Sequence, residues 1–196
     1  MRTASEKRNT KETQVEISIN LDGTGVADIK MGCGFMEHML ELFARHGRFD
    51  LTVKAVGDTQ VDYHHLVEDT GIVLGRVFDK ALGDRRGIRR YGSFILPMDE
   101  SLVLCAVDIS GRACLGYNLN VPAEKIGEFD TELAREFLCG LSRNMGACIH
   151  VKQLEGGDSH HLIEATFKGL ARALKEAVSI DEEYKNEIPS TKGTIL

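Results

Sequence analysis

No run of eighteen apolar residues occurs in the chain, so no segment is long enough to cross a bilayer as a helix. CxxC is absent as well. The five cysteines, Cys33, Cys105, Cys114, Cys139 and Cys148, are odd in number and sit mostly among apolar residues, as small hydrophobes do in a reducing cytoplasm. The opening segment MRTASEKRNTKETQ has neither an apolar region nor a small-residue cleavage site, so the expectation is a soluble, unexported, cytoplasmic chain. An excess of positive charge is also missing: the formal charge of −6 argues against general nucleic-acid binding, although GDRRGIRRYG gathers Arg85, Arg86, Arg89 and Arg90 into a short span. Such a cluster is ordinarily a solvated surface, and phosphate binding would give it another meaning. What is present is a chain of 196 residues, 42% hydrophobic, enough for one large domain or two small ones around a buried core.

The chain writes one plan twice. VDYHHLVEDTGIVLG and GDSHHLIEATFKGLA set His64 opposite His160, His65 opposite His161, Glu68 opposite Glu164 and Thr70 opposite Thr166, a spacing of 96 residues (64 to 160). Each block runs into a segment, VEDTGIVLGRVFDKAL or IEATFKGLARALKEAV, whose apolar residues recur at helical three- and four-residue spacings. Each is preceded by a helix and a strand: GFMEHMLELFARHG then RFDLTVKAVGD, and DTELAREFLCGLSRNMG then ACIHVKQLEGG, with Gly47 and Gly146 as helix stops. Strands open each half. TQVEISINLDGTG alternates Val15, Ile17, Ile19 and Leu21 on one face, and SLVLCAVDISGRACLGYNL reads as strand, Ser-Gly turn, strand. The pattern predicts an internally duplicated α+β protein with halves at 1–92 and 93–196. Each half is a mainly antiparallel sheet carrying helices on one face, and the halves join through their helices into one compact unit.

On a helix, Glu68 lies four residues from His64 and three from His65, so its carboxylate reaches the side of either imidazole. Adjacent residues point about 100° apart, so His64 and His65 face different sites, and the same holds for His160 and His161 around Glu164. A single motif therefore completes no site, whereas two facing motifs can share two metal ions. Packing alone has no need of paired imidazoles with a carboxylate, repeated. His38 in GFMEHML is a further candidate ligand, and its counterpart 98 residues on (38 to 136) is Glu136. Glu136 borders the apolar stripe of Leu133, Phe137, Leu138, Leu141 and Met145, where a carboxylate is either half-solvated or held by a cation or metal. Imidazole with carboxylate suits Mn, Fe or Zn, and no nearby cysteine offers a thiolate. His46 reads as substrate-facing or supporting a ligand, and His150 as a structural strand histidine.

With GFMEHMLELFARHGRFDL, DYHHLVEDTGIVLG, GDSHHLIEATFKGLARAL and the terminal PSTKG in view, the chain resembles imidazoleglycerol-phosphate dehydratase of histidine biosynthesis over essentially its whole length. Its length is similar to the stand-alone form, without the histidinol-phosphatase domain fused to it in some bacteria. The resemblance implies a duplicated fold of ribosomal protein S5 domain 2-like halves and manganese, two ions per active site. It also implies a homo-oligomeric shell of twenty-four copies with active sites at subunit contacts, and no membrane or nucleic-acid partner. It puts His38, His64, His65, Glu68, His160, His161 and Glu164 on metal-ligand positions. One position departs: where many members of the family carry histidine, this chain reads REFL with Glu136. Glu12, His38, His46, Arg90, Arg112, Lys168, Ser190 and Lys192 fall on substrate-contacting positions, which turns IRRYG and PSTKG toward phosphate.

The implied reaction removes water from imidazole glycerol phosphate to give imidazole acetol phosphate. The proton lost from C2 is not adjacent to a carbonyl, so the imidazole ring itself has to act as the electron sink, and two metals suit its two nitrogens. The implied catalytic set is Glu12 with His65, Glu68, His161 and Glu164. Glu12 is the candidate proton-transfer group because it lies outside the metal shell. Two other readings use similar residues: a binuclear metallohydrolase acting on a small phosphate ester, and a structural metal protein. A hydrolase ordinarily has more carboxylates than imidazoles at its metals, and a structural site needs no Arg90, Arg112 and Lys192.

Overall fold

The computed structural model describes residues 1–195. Its first half runs β1 (Thr3–Asn9), β2 (Thr13–Asn20), β3 (Ala27–Lys30), α1 (Gly34–Gly47), β4 (Asp50–Gly57) and α2 (His64–Leu82). The second runs β5 (Tyr91–Met98), β6 (Ser101–Asp108), β7 (Cys114–Asn118), a small hairpin β8 (Lys125–Ile126) and β9 (Phe129–Asp130), α3 (Leu133–Met145), β10 (Cys148–Glu155) and α4 (Ser159–Val178). The sheets have orders β1-β2-β4-β3 and β5-β6-β10-β7, so the second repeats the first strand for strand. In each, two neighbouring pairs are antiparallel and the last is parallel, β3 with β4 and β7 with β10. The parallel pairs are the ones joined through a helix, α1 or α3, as a crossover requires.

Each helix buries one side on its own sheet and another on a helix of the other half: α2 packs on α3 and α1 on α4. The alternation in β2 is realised, with Val15, Ile17 and Ile19 facing the core, and the α3 stripe Leu133, Phe137, Leu138, Leu141 and Met145 is buried. Cys105 is a core residue whose thiol burial pushes up to about 12.

Three features differ from the sequence reading. β1 forms a strand where the sequence shows a polar leader. Its half-buried side carries Glu6 and Arg8, which pair with Arg76 and Lys80 and with Asp69 of α2, so no apolar alternation announces it. β3, β5 and the hairpin β8–β9 likewise lack a clean alternation. Gly146 does end α3 in a left-handed conformation, φ 67°, but α1 is capped by Arg48, φ 57°, and Gly47 is its last helical residue. There the glycine serves packing: a Cβ at Gly47 would collide with the Phe49 ring.

The α2–α3 contact is backbone on backbone. A Cβ on Gly75 would lie 2.7 Å from the Leu141 carbonyl oxygen, one on Gly140 2.9 Å from the Glu68 carbonyl oxygen, and one on Gly71 closer still to that of Phe137. The corresponding repeat positions in the α1–α4 pair are Leu42, Phe167 and Ala171. Helix propensity alone makes Gly71→Ala stabilising by up to about 1 kcal/mol. Because the helices have to separate, we expect the opposite sign, a loss of about 1–3 kcal/mol, read as a lowered denaturant midpoint at fixed protein concentration.

Candidate metal centre

Both histidine pairs open a helix. The Asp158 carboxylate accepts from the His161 backbone N–H at 3.0 Å, and Asp62 accepts from that of His64 at 2.7 Å, each satisfying a free donor of the first turn. The paired rings splay alike in the two repeats, with centroids 6.2 Å apart and planes at 79° for His64–His65 and 76° for His160–His161. The members of each pair therefore face different sites, as the helical period requires.

One group of donors converges. His38 on α1 and His160 and Glu164 on α4 place a ligand atom each within 4.8 Å of one another. Glu164 Oε2 lies 3.1 Å from His160 Nε2 and 3.8 Å from His38 Nε2. Donors that share an ion at about 2.1 Å sit about 3.0 Å apart at adjacent octahedral corners and at most about 4.2 Å apart across it, so Glu164 lies within that reach of both imidazoles. Glu164 is 7% exposed, and its other oxygen is taken by Lys168. Burial alone would raise the Glu164 carboxyl, but the Lys168 hydrogen bond and charge, and then His160, outweigh it and hold the group below its ordinary value. Two imidazole nitrogens and an ionised carboxylate are donors that manganese accepts.

The other motif is not gathered in this way. Among the described residues, His64, His65, Glu68 and Glu136 do not bring three donors together. Glu136 is partly exposed and is held by a cation, Arg135, at 2.9 Å. His65 Nδ1 turns to Asp58 at 3.0 Å and His161 Nδ1 to Glu100 at 2.8 Å. Sequence reasoning missed both carboxylates, since acids beside turns look like ordinary turn residues. Hydrogen bonds from His161 and Ser101 take Glu100 down to about 2. Glu12, exposed in the β1–β2 turn, adds its charge to the field that raises the His65 pKa, behind the larger effect of the Asp58 hydrogen bond. His150 lies on the outer face of β10 over Gly116 and belongs to no such group.

The candidate phosphate residues lie elsewhere. Arg90 donates its backbone N–H to Ala177 in the last turn of α4, and its guanidinium binds Asp108 at 2.8 Å and the Pro189 carbonyl at 2.9 Å. Arg85 and Arg86 donate to the carbonyls of Ile195 and Asn186, each at 2.5 Å. Three arginines of GDRRGIRRYG thus hold the tail bearing Ser190 and Lys192. Arg112 is exposed in the β6–β7 turn, its backbone N–H on Ser110 Oγ at 3.3 Å. From Glu164 to Ala177, thirteen residues of α4 at the helical rise span about 20 Å.

His46 stands between these regions, near the end of α1. Burial first, then the charges of Lys168 and Arg172, lower its pKa from the ordinary 6.5, so it is neutral at pH 7. A histidine with a depressed folded pKa makes the protein lose stability as pH falls from 6.5 toward the folded value, because only the unfolded chain takes up the proton. We expect the His46 ring to titrate below 6.5 by NMR, and Lys168→Met to move its midpoint upward.

Against known proteins, residues 31–174 match the family profile described as imidazoleglycerol-phosphate dehydratase. The imidazoleglycerol-phosphate dehydratase of Methylorubrum populi is 56% identical over 195 residues, covering 100% of both chains, and that of Lachnoclostridium phytofermentans is 54% identical over 194 residues, covering 99% of this chain and 98% of that one. The crystal structure of the Staphylococcus aureus enzyme superposes with a TM-score of 0.83 at 39% identity, covering 91% of this chain and 99% of that chain. The Pyrococcus furiosus structure, in complex with (S)-C348, gives 0.83 at 37%, covering 96% and 99%. With its profile matched over residues 31–174 and relatives more than half identical along their whole length, the chain belongs to the imidazoleglycerol-phosphate dehydratase family.

Proposed function

We infer that the chain is a hydro-lyase that removes water from imidazole glycerol phosphate to give imidazole acetol phosphate in histidine biosynthesis. The observation that carries this reading is the convergence of His38, His160 and Glu164 from the two halves, in a chain of this family. The proposed cofactor is manganese, two ions per active site. One centre is built on His38, His160 and Glu164. The other draws on His64, Glu68 and the partly exposed Glu136, and His65 and His161 contribute through their outward-facing nitrogens. Bound there, the metal supplies Lewis-acid polarisation of the substrate ring, which makes the ring the electron sink.

The chain's own residues do the rest. Glu12, exposed and close enough to His65 to influence it, is the candidate that moves the C2 proton. His46, kept neutral, can hydrogen-bond substrate without adding charge. Lys168 holds Glu164 ionised and fixed in direction. Arg90 aligns the tail, and Arg112, Ser190 and Lys192 offer the phosphate donors of geometry suited to a dianion.

Ring and phosphorus of the substrate are on the order of 7 Å apart, three carbon–carbon bonds and an ester linkage. The distance of about 20 Å along α4 is too long for one copy to hold both ends. This supports an active site shared between copies and, with the family resemblance, a shell of twenty-four. The edge strand β5, exposing Tyr91, Phe94 and Ile95, supports self-association. No helix among the described residues is long and apolar enough to cross a membrane, and the unpaired cysteines support a reducing, cytoplasmic setting.

The test is an assay with imidazole glycerol phosphate and manganese, scoring ketone against inorganic phosphate; phosphate release would assign a hydrolase instead. In the same assay Glu12→Gln should retain KM and metal content while kcat falls about 10²–10⁴-fold. For the shared site, His160→Ala and Arg112→Ala, the latter of which should mainly raise KM, co-assembled after dissociation and assayed at substrate so dilute that neither variant turns over, should regain turnover. Mixed assemblies as inactive as their parents would place each site within one copy.

A further inference from the structure

The structure assigns Asp58 and Glu100 a positioning role: each holds the Nδ1 of the second histidine of a motif and thereby presents the bare Nε2 of His65 or His161 outward as a metal ligand. The assignment rests on the metal reading above. Both Asp58 oxygens lie on His65 Nδ1, at 3.0 and 3.3 Å. Glu100 Oε2 lies 2.8 Å from His161 Nδ1, and its Oε1 accepts from Ser101 Oγ at 2.8 Å and from the Asp158 backbone N–H at 3.2 Å. That carboxylate is thus anchored before it meets the ring. Two other acids flank His161. Asp158 is committed to the helix N-terminus, and Asp99 stands 3.6 Å from Nε2, beyond hydrogen-bond range.

What separates this from inherited packing is where the two carboxylates come from. Asp58 follows β4, and at the 98-residue spacing of β4 and β10 (50 to 148) its repeat counterpart is Gly156; Glu100 lies in the β5–β6 turn, whose counterpart, the β1–β2 turn, holds Glu12. Duplication therefore did not copy the arrangement. The same nitrogen of the equivalent histidine is held from non-equivalent positions, and the ring pairs still end within a few degrees of one geometry. A carboxylate on Nδ1 fixes the tautomer with the proton on that nitrogen, leaves Nε2 as acceptor and raises its basicity, as carboxylate–histidine–metal triads do.

The test uses the full chain and two readouts. In metal-free protein at about pH 9, above the imidazole range, 15N spectra of labelled histidine should show His65 and His161 protonated at Nδ1. Asp58→Ala and Glu100→Ala should each convert their own histidine to a mixture of tautomers. Asp58→Asn and Glu100→Gln, which keep a carbonyl acceptor, should preserve the Nδ1–H form. Manganese(II) affinity, measured by chelator competition, should fall about 10–100-fold in the alanine variants and recover in part in the amide variants. Unchanged tautomers together with wild-type manganese affinity in Glu100→Ala would overturn the assignment. A wild type that shows the fixed tautomers but binds no manganese would overturn the metal reading instead.

Discussion

The whole arrangement depends on a single layer of helices shared by two sheets. Each sheet is apolar on one face only and would be unstable alone, so each helix has to satisfy its own sheet and a helix of the other half together. The α2–α3 pair meets that demand through Gly71, Gly75 and Gly140, which let the backbones touch; the α1–α4 pair meets it with side chains, Leu42, Phe167 and Ala171. A duplicated sequence thus becomes an asymmetric interface. The donor atoms follow that asymmetry, because the convergent group His38–His160–Glu164 straddles the α1–α4 contact.

Electrostatics within the site follow from the same packing. Glu164 is almost fully buried and stays ionised because Lys168, one helical turn on, donates to it. That lysine also acts on His46, which runs alongside because α1 and α4 are parallel, and it helps keep the imidazole neutral. One cation therefore acts on two groups of opposite kind, holding a carboxylate negative and adding to the burial that keeps a histidine neutral. At the far end of α4, the arginines of GDRRGIRRYG spend their donors on tail carbonyls. They thereby hold the segment that carries Ser190 and Lys192.

Much was legible beforehand because it is local. Periodicity located α1 to α4, β2, β4, β6 and β10, since each buries a regular stripe or face of its own, and β7 was set off by the Ser-Gly turn before it. β1 was not legible because its inward side is charged and its partners, Arg76, Lys80 and Asp69, lie on another element. Gly47 looked like a helix stop, but the residue that turns is Arg48, and the glycine answers to Phe49. Glu136 was set opposite His38 by the repeat, yet it pairs with Arg135, so equivalence of position did not carry equivalence of contact.

By itself the sequence determined the duplication, the α+β alternation and the kind of chemistry, since HHxxE at the start of a helix puts a carboxylate within reach of either of two imidazoles that face different sites, and the chain writes it twice. The tertiary structure decided which donors meet. His38 and Glu164 are 126 residues apart (38 to 164), and only the packing of α1 on α4 makes them neighbours. It likewise decided that His65 and His161 are each held by a carboxylate, and that the tail is clamped beside Arg90. The physical reason is range: hydrophobic period reports the face each element buries, whereas a site is made where faces of distant elements cross, and that crossing is set by side-chain volume and by where glycine lets backbones touch.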